Sequence, residues 1–213
     1  MNGGLTTSSL VLAVALMPLA AGLLSLALNT LSRRHPPPAW CAALAVLTQL
    51  ISAGVAGYLL AAGGARFSLP WISLPASFAY QTADGGIAAQ LETLEVPLAF
   101  AAGQLELLFA LTTALIAAGV TLFAYRERRG DPRAGQFFAT LNLFAGGMLL
   151  FLTADTLLVV YFAWELMGLC SYLLIAHPAT DAARRAARRA FWTTRATDFG
   201  LLFAVIILLA VFG

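Results

Sequence analysis

Six apolar runs follow one another along the chain, and the short stretches between them carry most of the charge. The runs cover residues 9–31, 40–62, 105–125, 136–154, 156–176 and 191–212. Each is close to the ~20 residues that a helix needs to cross a ~30 Å hydrocarbon core. Lipid offers no partner to a backbone N–H or C=O, so spanning segments must be helices unless the chain alternates as a barrel does. No such alternation runs through these segments. The expected fold class is all-α integral membrane, with six transmembrane helices in a single membrane domain, residues 1–213.

One long polar interruption breaks the rhythm, at residues 63–104 between the second and third runs. It reads FSLPWISLP, then a turn-rich TADGG at 82–86, then LETLEVPLAF. Two short strands about an Asp-Gly turn predict a small β-hairpin, read as a structural cover.

Composition agrees with the pattern. The chain is 61% hydrophobic and 10% charged, with a mean hydropathy of +0.86. A water-soluble domain carries about 25% charged residues, so the surface must face lipid. The two cysteines, Cys41 and Cys170, lie far apart in apolar runs. They suit neither an iron–sulfur site within the chain nor a disulfide framework. His35 and His177 each stand beside a proline at a segment end, where interfacial side chains are expected.

Charge then sets direction. All twelve basic residues are arginine. With the N-terminus outside, Arg33, Arg34, Arg126, Arg128, Arg129, Arg133, Arg184, Arg185, Arg188 and Arg189 lie in inner loops, and Arg66 alone lies in an outer one. The positive-inside rule therefore predicts both termini outside and the hairpin on the outer face. The basic cluster follows the first run instead of preceding it, so that run reads as a span and not as a cleaved signal peptide. The four arginines at 184–189 are expected to anchor to anionic lipid headgroups.

Glu106 stands at the outer end of the third span, and three charged residues fall deeper inside spans. Glu165 is near the middle of the fifth, where an isolated charge costs ~2.5–3.5 kcal/mol on insertion scales. Such a residue must face protein or water and needs a partner. Arg195 and Asp198 stand three apart on the sixth, on one helix face. They read as a self-neutralising pair or as a switchable element beside Glu165. Arg189 is the arginine placed to reach a buried acid. Asp155 is expected to cap the fifth helix. Gly146, Gly147 and Gly168 are expected to permit close helix approach.

The residues from 137 onward carry a specific resemblance. LNLF at 141–144, Met148-Leu149, Asp155-Thr-Leu157 and above all WELMGLCSYLLI at 164–175 resemble the antiporter-like membrane subunit of respiratory complex I. The branch is the L subunit of bacterial NADH–quinone oxidoreductase, mitochondrial subunit five and the large subunit of multisubunit sodium/proton antiporters. ARRAF at 187–191 and RATDFG at 195–200 are similar to the family's Lys-Ala-Phe and Arg-Val-Gly-Asp-Phe-Gly. The resemblance implies a proton pathway through Glu165, Arg195, Asp198 and Arg189. Glu165 would be the essential glutamate, and Arg195 and Asp198 the ion pair of helix six. It implies no redox centre, no cofactor and no catalytic site in the chain. Arg189 stands where the family commonly has lysine, and an arginine cannot release its proton. The family's helix-seven lysine has no counterpart here, since the chain holds no lysine.

The expected function is a membrane subunit of a proton-translocating, complex I-type assembly that contributes the first part of an antiporter-like channel. Its expected partners are the lipid bilayer, other membrane subunits and a second chain supplying later helices. No nucleic acid is expected. The expected location is a bacterial inner membrane. Alternatives are a non-transporting structural, assembly or truncated paralogue, or a subunit of a sodium/proton antiporter, hydrogenase or inorganic-carbon uptake complex.

Overall fold

A computed structural model describes the backbone over residues 2–31, 36–81 and 87–212, and side chains over 9–31, 36–70, 97–208 and 211. Arg33, Arg34, His35 and the 82–86 turn lie outside the described residues. In chain order the elements are α1 (Asn2–Leu31), α2 (Pro38–Ala61), β1 (Ala65–Gln81), β2 (Ile87–Ala102), α3 (Gln104–Glu127), α4 (Ala134–Thr153), α5 (Leu157–Ala176) and α6 (Asp181–Phe212). Among the described residues, six helices are long and apolar enough to cross a membrane.

α4 is the hub, packing on α1, α2, α3 and α5, while α6 packs on α5. The hub position follows from small residues. A Cβ on Gly146 would lie 2.7 Å from Leu19 Cγ, and one on Gly22 of α1 would lie 2.7 Å from Leu143 Cγ. Without a hydrophobic force between helices in lipid, such close backbone approach supplies the dispersion contact that holds them together. Gly147 approaches Met167 of α5 more loosely, at 3.1 Å. Gly168 corrects the expectation: a Cβ there would meet nothing within 4 Å.

Buried amides tie the same helices together. Asn142 of α4 donates to the Pro18 carbonyl of α1 at 3.0 Å and to Thr48 Oγ1 of α2 at 3.3 Å. Its Oδ1 accepts from Gln49 Nε2 at 3.1 Å, and Gln49 Oε1 accepts from Thr121 of α3 at 3.2 Å. Four helices thus share one neutral, buried network. A second buried amide, Asn29 of α1, donates to Cys41 Sγ of α2 at 3.3 Å.

The hairpin is larger than the sequence pattern suggests. β1 has 17 residues and β2 has 16, so the strands fill nearly the whole connection. They pair antiparallel from Ala65↔Ala102 to Gln81↔Ile87, with one irregularity between Pro70 and Ile72. The prolines that made the strands look short are tolerated because both strands of a two-stranded ribbon are edges, where a missing N–H need not break a ladder. α2 ends at Gly63 and Gly64, with φ of +89° and +95°. At Gly64 the returning strand comes so close that a Cβ would sit 2.6 Å from the Ala102 carbonyl oxygen. The base of the hairpin joins the core through Phe100 and Ala102. Asp155 does not cap α5: Thr156 occupies the N-cap without a side-chain bond, and the Asp155 N–H donates to the Ala99 carbonyl at 2.9 Å.

α6 begins at Asp181, ten residues before the apolar run does. Arginine and alanine are both strong helix formers, so the stretch AARRAARRA continues the helix toward its N-terminus. Thr180 Oγ1 accepts from the Ala183 N–H at 3.1 Å, and Asp181 places a carboxylate in the first turn. Arg184, Arg185, Arg188 and Arg189 are therefore helical.

Candidate functional site

α5 carries the mid-membrane acid. Glu165 lies eight residues from its start, about 12 Å along a helix about 30 Å long. Trp164 and Glu165 are consecutive, so they leave the axis about 100° apart and can engage different partners. α6 runs back along α5 and offers two, one turn apart.

Glu165 Oε2 forms an ion pair with Arg195, whose side chain is 24% exposed against 16% for the glutamate. The Arg195 guanidinium also lies over the Phe191 ring at 4.7 Å. Asp198 is 7% exposed, and its Oδ1 accepts from Trp164 Nε1 at 2.9 Å. The sequence spacing left Arg195 and Asp198 as a self-neutralising pair or as a switchable element beside Glu165. In the structure Arg195 instead reaches across to α5, and no Arg195–Asp198 ion pair forms among the described residues. The physical reason is demand. Among the described residues Glu165 pairs with no other cation, whereas Asp198 accepts from the indole N–H of Trp164, a group that can only donate.

One valence is left open. Glu165 Oε1 is buried and has no hydrogen-bond partner among the described residues. An ionised carboxylate accepts at both oxygens, so a half-used one is poised to receive a proton or another donor.

Arg189 does not join this group. It is exposed, six residues before Arg195, about 9 Å away along the helix and on a different face. Three of the four sequence-selected residues are thus brought together and one is left at the basic end. Trp164, the partner of Asp198, was missed by sequence reasoning because an indole in a membrane helix usually signals an interfacial belt. Among the described residues, no group of three histidine, cysteine or acidic side chains could hold a metal ion.

At the basic end a second polar contact closes the bundle. His177 Nε2 meets Asp131 Oδ2 at 2.8 Å, and Arg133 donates from Nη2 to the His177 carbonyl at 2.8 Å. Asp131 lies between α3 and α4. Burial pushes its carboxyl up, but the bonds from His177 and the Arg133 N–H, with the charges of both residues, outweigh it and hold the group below its ordinary value.

The α5–α6 unit also has the least cover. Of α5 only Val159, Ala163 and Cys170 are buried among the described residues, and of α6 only Ala187, Asp198 and Val205. Twelve residues of α4 are buried.

Residues 154–213 match the family described as NADH:quinone oxidoreductase/Mrp antiporter, transmembrane. These residues contain α5, α6 and the whole charge cluster. The chain is 43% identical over 90 residues to NADH-quinone oxidoreductase subunit L of Escherichia coli (strain K12), covering 42% of this chain and 15% of that subunit. It is 33% identical over 121 residues to subunit L of Mycobacterium tuberculosis (strain H37Rv), covering 56% of this chain and 19% of that one. The Mrp complex from Dietzia sp. DQ12-45-1b has a chain with the same fold, at a TM-score of 0.62 and 22% identity over 95% of this chain and 20% of that one. The chain spans 10–19% of the length of the curated relatives it matches. The chain is similar to these membrane subunits over part of its own length and a smaller part of theirs.

Proposed function

We propose that this chain is an antiporter-like membrane subunit of a proton-translocating, NADH–quinone oxidoreductase-type assembly, and that it forms the first part of an ion path centred on Glu165. The observation that carries the proposal is the contact between α5 and α6: a carboxylate at mid-helix, paired on one oxygen and open on the other. Similarity to subunit L of bacterial NADH-quinone oxidoreductases favours this reading over a non-transporting paralogue.

The chemistry divides between the residues. Arg195 cannot give up its proton, so it acts only as a movable or fixed cation. Glu165 is the group that changes protonation. Arg195 pairs with Glu165 across the α5–α6 contact. Asp198, one turn along α6, offers the guanidinium a second acceptor. Transfer of Arg195 from Glu165 to Asp198 frees Glu165 to take a proton, and its return expels that proton. Arg189 keeps positive charge near the mouth of the path without titrating.

The open faces of α5 and α6 need helical cover, because Arg195 and Glu165 are still 24% and 16% exposed there and charge cannot face hydrocarbon at low cost. A second polypeptide carrying later helices would supply it. The arginine distribution supports both termini on the outer face, and the similarity to bacterial subunits supports a location in a bacterial inner membrane.

The test is Glu165→Gln in the assembled complex, reconstituted into vesicles with quinone and NADH. Electron transfer should continue while proton uptake per NADH falls. Unchanged uptake would leave the α5–α6 contact with a packing role only.

A further inference from the structure

An apolar groove of about 490 Å³ runs between α2 and α3, away from the charge cluster. It exists because α2 turns small residues toward the gap: Ala39, Ala42 and Ala43 leave room where α3 brings Leu122 and Tyr125. Further in, the walls are Val46, Leu47 and Leu50. Ala43, Leu47, Leu50 and Leu122 are exposed, so the groove opens sideways to hydrocarbon.

The outer rim of the groove is cationic. At Tyr125 the groove meets two further hollows, one lined by Arg126 and Arg129, the other by Arg128, Arg129 and Pro37-Pro38. Not every arginine there is available. Arg128 lies over the Phe137 ring at 4.5 Å and 3.8 Å from Asp131, and Arg133 is bonded to the His177 carbonyl. Arg126, in the last turn of α3, and Arg129, in the turn just beyond it, are exposed and line one hollow together, with Arg129 5.9 Å from the Tyr125 ring. Glu127 is also exposed, but it projects from a different face and lines neither hollow. Trp40, 70% exposed, sits beside the groove where an interfacial aromatic belongs.

We propose that the α2–α3 groove and its arginine mouth bind one anionic phospholipid, with an acyl chain along Ala43–Leu50 and the phosphate against Arg126 and Arg129. The groove and its mouth specify both halves of the ligand. The volume lies within the ~300–1,000 Å³ of small-molecule sites, and the lining is apolar enough to take hydrocarbon. Two guanidiniums with no partner carboxylate among the described residues supply charge-assisted hydrogen bonds to a phosphate at the depth where a headgroup lies. A general attraction between basic ends and anionic lipid would place arginines here without a groove. The groove adds a fixed address.

The protein is reconstituted in phosphatidylcholine nanodiscs holding a small fraction of phosphatidylglycerol with a photoreactive group in mid-chain. Adducts are then mapped by mass spectrometry. The proposal expects adducts concentrated on α2 from Ala39 to Leu50 and on α3 near Leu122. Arg126→Gln with Arg129→Gln should lower them by about fivefold per arginine removed. Ala43→Phe, which fills the groove, should abolish them while adducts elsewhere stay constant. The same probe on a phosphatidylcholine headgroup should label the groove several-fold less. If Ala43→Phe does not fold, the arginine double variant decides. Adducts spread evenly around the helices, equal labelling by both headgroups, unchanged labelling in the arginine double variant, or full displacement by inorganic phosphate would each overturn the proposal.

Discussion

Removing Arg195 as Arg195→Gln takes from Glu165 its one cation among the described residues and leaves both carboxylate oxygens without a charged partner there. Breaking a fully buried ion pair from one side costs ~3–5 kcal/mol, while an exposed pair contributes ~0–1 kcal/mol. Glu165 and Arg195 are 16% and 24% exposed, so the pair lies between these limits and nearer the buried one. The expected loss is about 2 kcal/mol, or roughly a 30-fold shift toward the unfolded form. Glu165→Gln alone should cost less, because Arg195 keeps its contact with Phe191 and can turn to Asp198. The double variant should then be less damaging than the sum of the singles by about 1–2 kcal/mol. The assay is reversible unfolding in mixed micelles, titrated with sodium dodecyl sulfate and followed by tryptophan fluorescence. Additive single effects, within ~0.5 kcal/mol, would refute the pairing. A cycle between Arg195 and Asp198 gives the counter-test. Strong coupling there and none to Glu165 would return the arginine to the neighbour that sequence spacing suggests.

Three further outcomes are expected. Gly146→Ala should destabilise by about 1–3 kcal/mol, since its Cβ meets Leu19 at 2.7 Å, whereas Gly168→Ala should be neutral or gain up to ~1 kcal/mol of helix propensity; unfolding midpoints of the pair check this. Asn142→Leu severs bonds to α1 and α2, and at ~0.6 kcal/mol per interhelical bond should cost about 1–2 kcal/mol in the same titration. Asp131 has a folded value lowered from 3.8, so its stabilisation is fully present above about pH 4 and is lost as pH falls further, through the folded value. Asp131→Asn should therefore lower the thermal midpoint at neutral pH and remove that acid dependence, and an unchanged midpoint–pH curve would count against the His177 contact.

Much of the architecture was legible because the bilayer is a strict solvent. Six runs of the right length, with no alternation, leave the helix as the only way to satisfy the backbone. Glu165 was legible for the same reason: a carboxylate at that depth is too costly to be incidental. The start of α6 was obscured because hydropathy ends where the arginines begin, although Thr180-Asp181 is a capping signal in plain view. The long hairpin was obscured by its prolines, which argue against strands in a sheet interior but not in a ribbon with two edges.

The sequence by itself determined which residues are charged, how deep they lie and that each buried one requires a partner, since depth follows from counting along a helix. Only the tertiary structure decided who the partners are. Arg195 has an acid three residues away on its own helix and another on its neighbour, and spacing favours the first. The approach of α6 along α5 brings Glu165 and Trp164 level with Arg195 and Asp198, and the indole and the guanidinium then divide the two carboxylates between them. That division depends on helix rotation, which small residues and side-chain packing fix and which no one-dimensional pattern records.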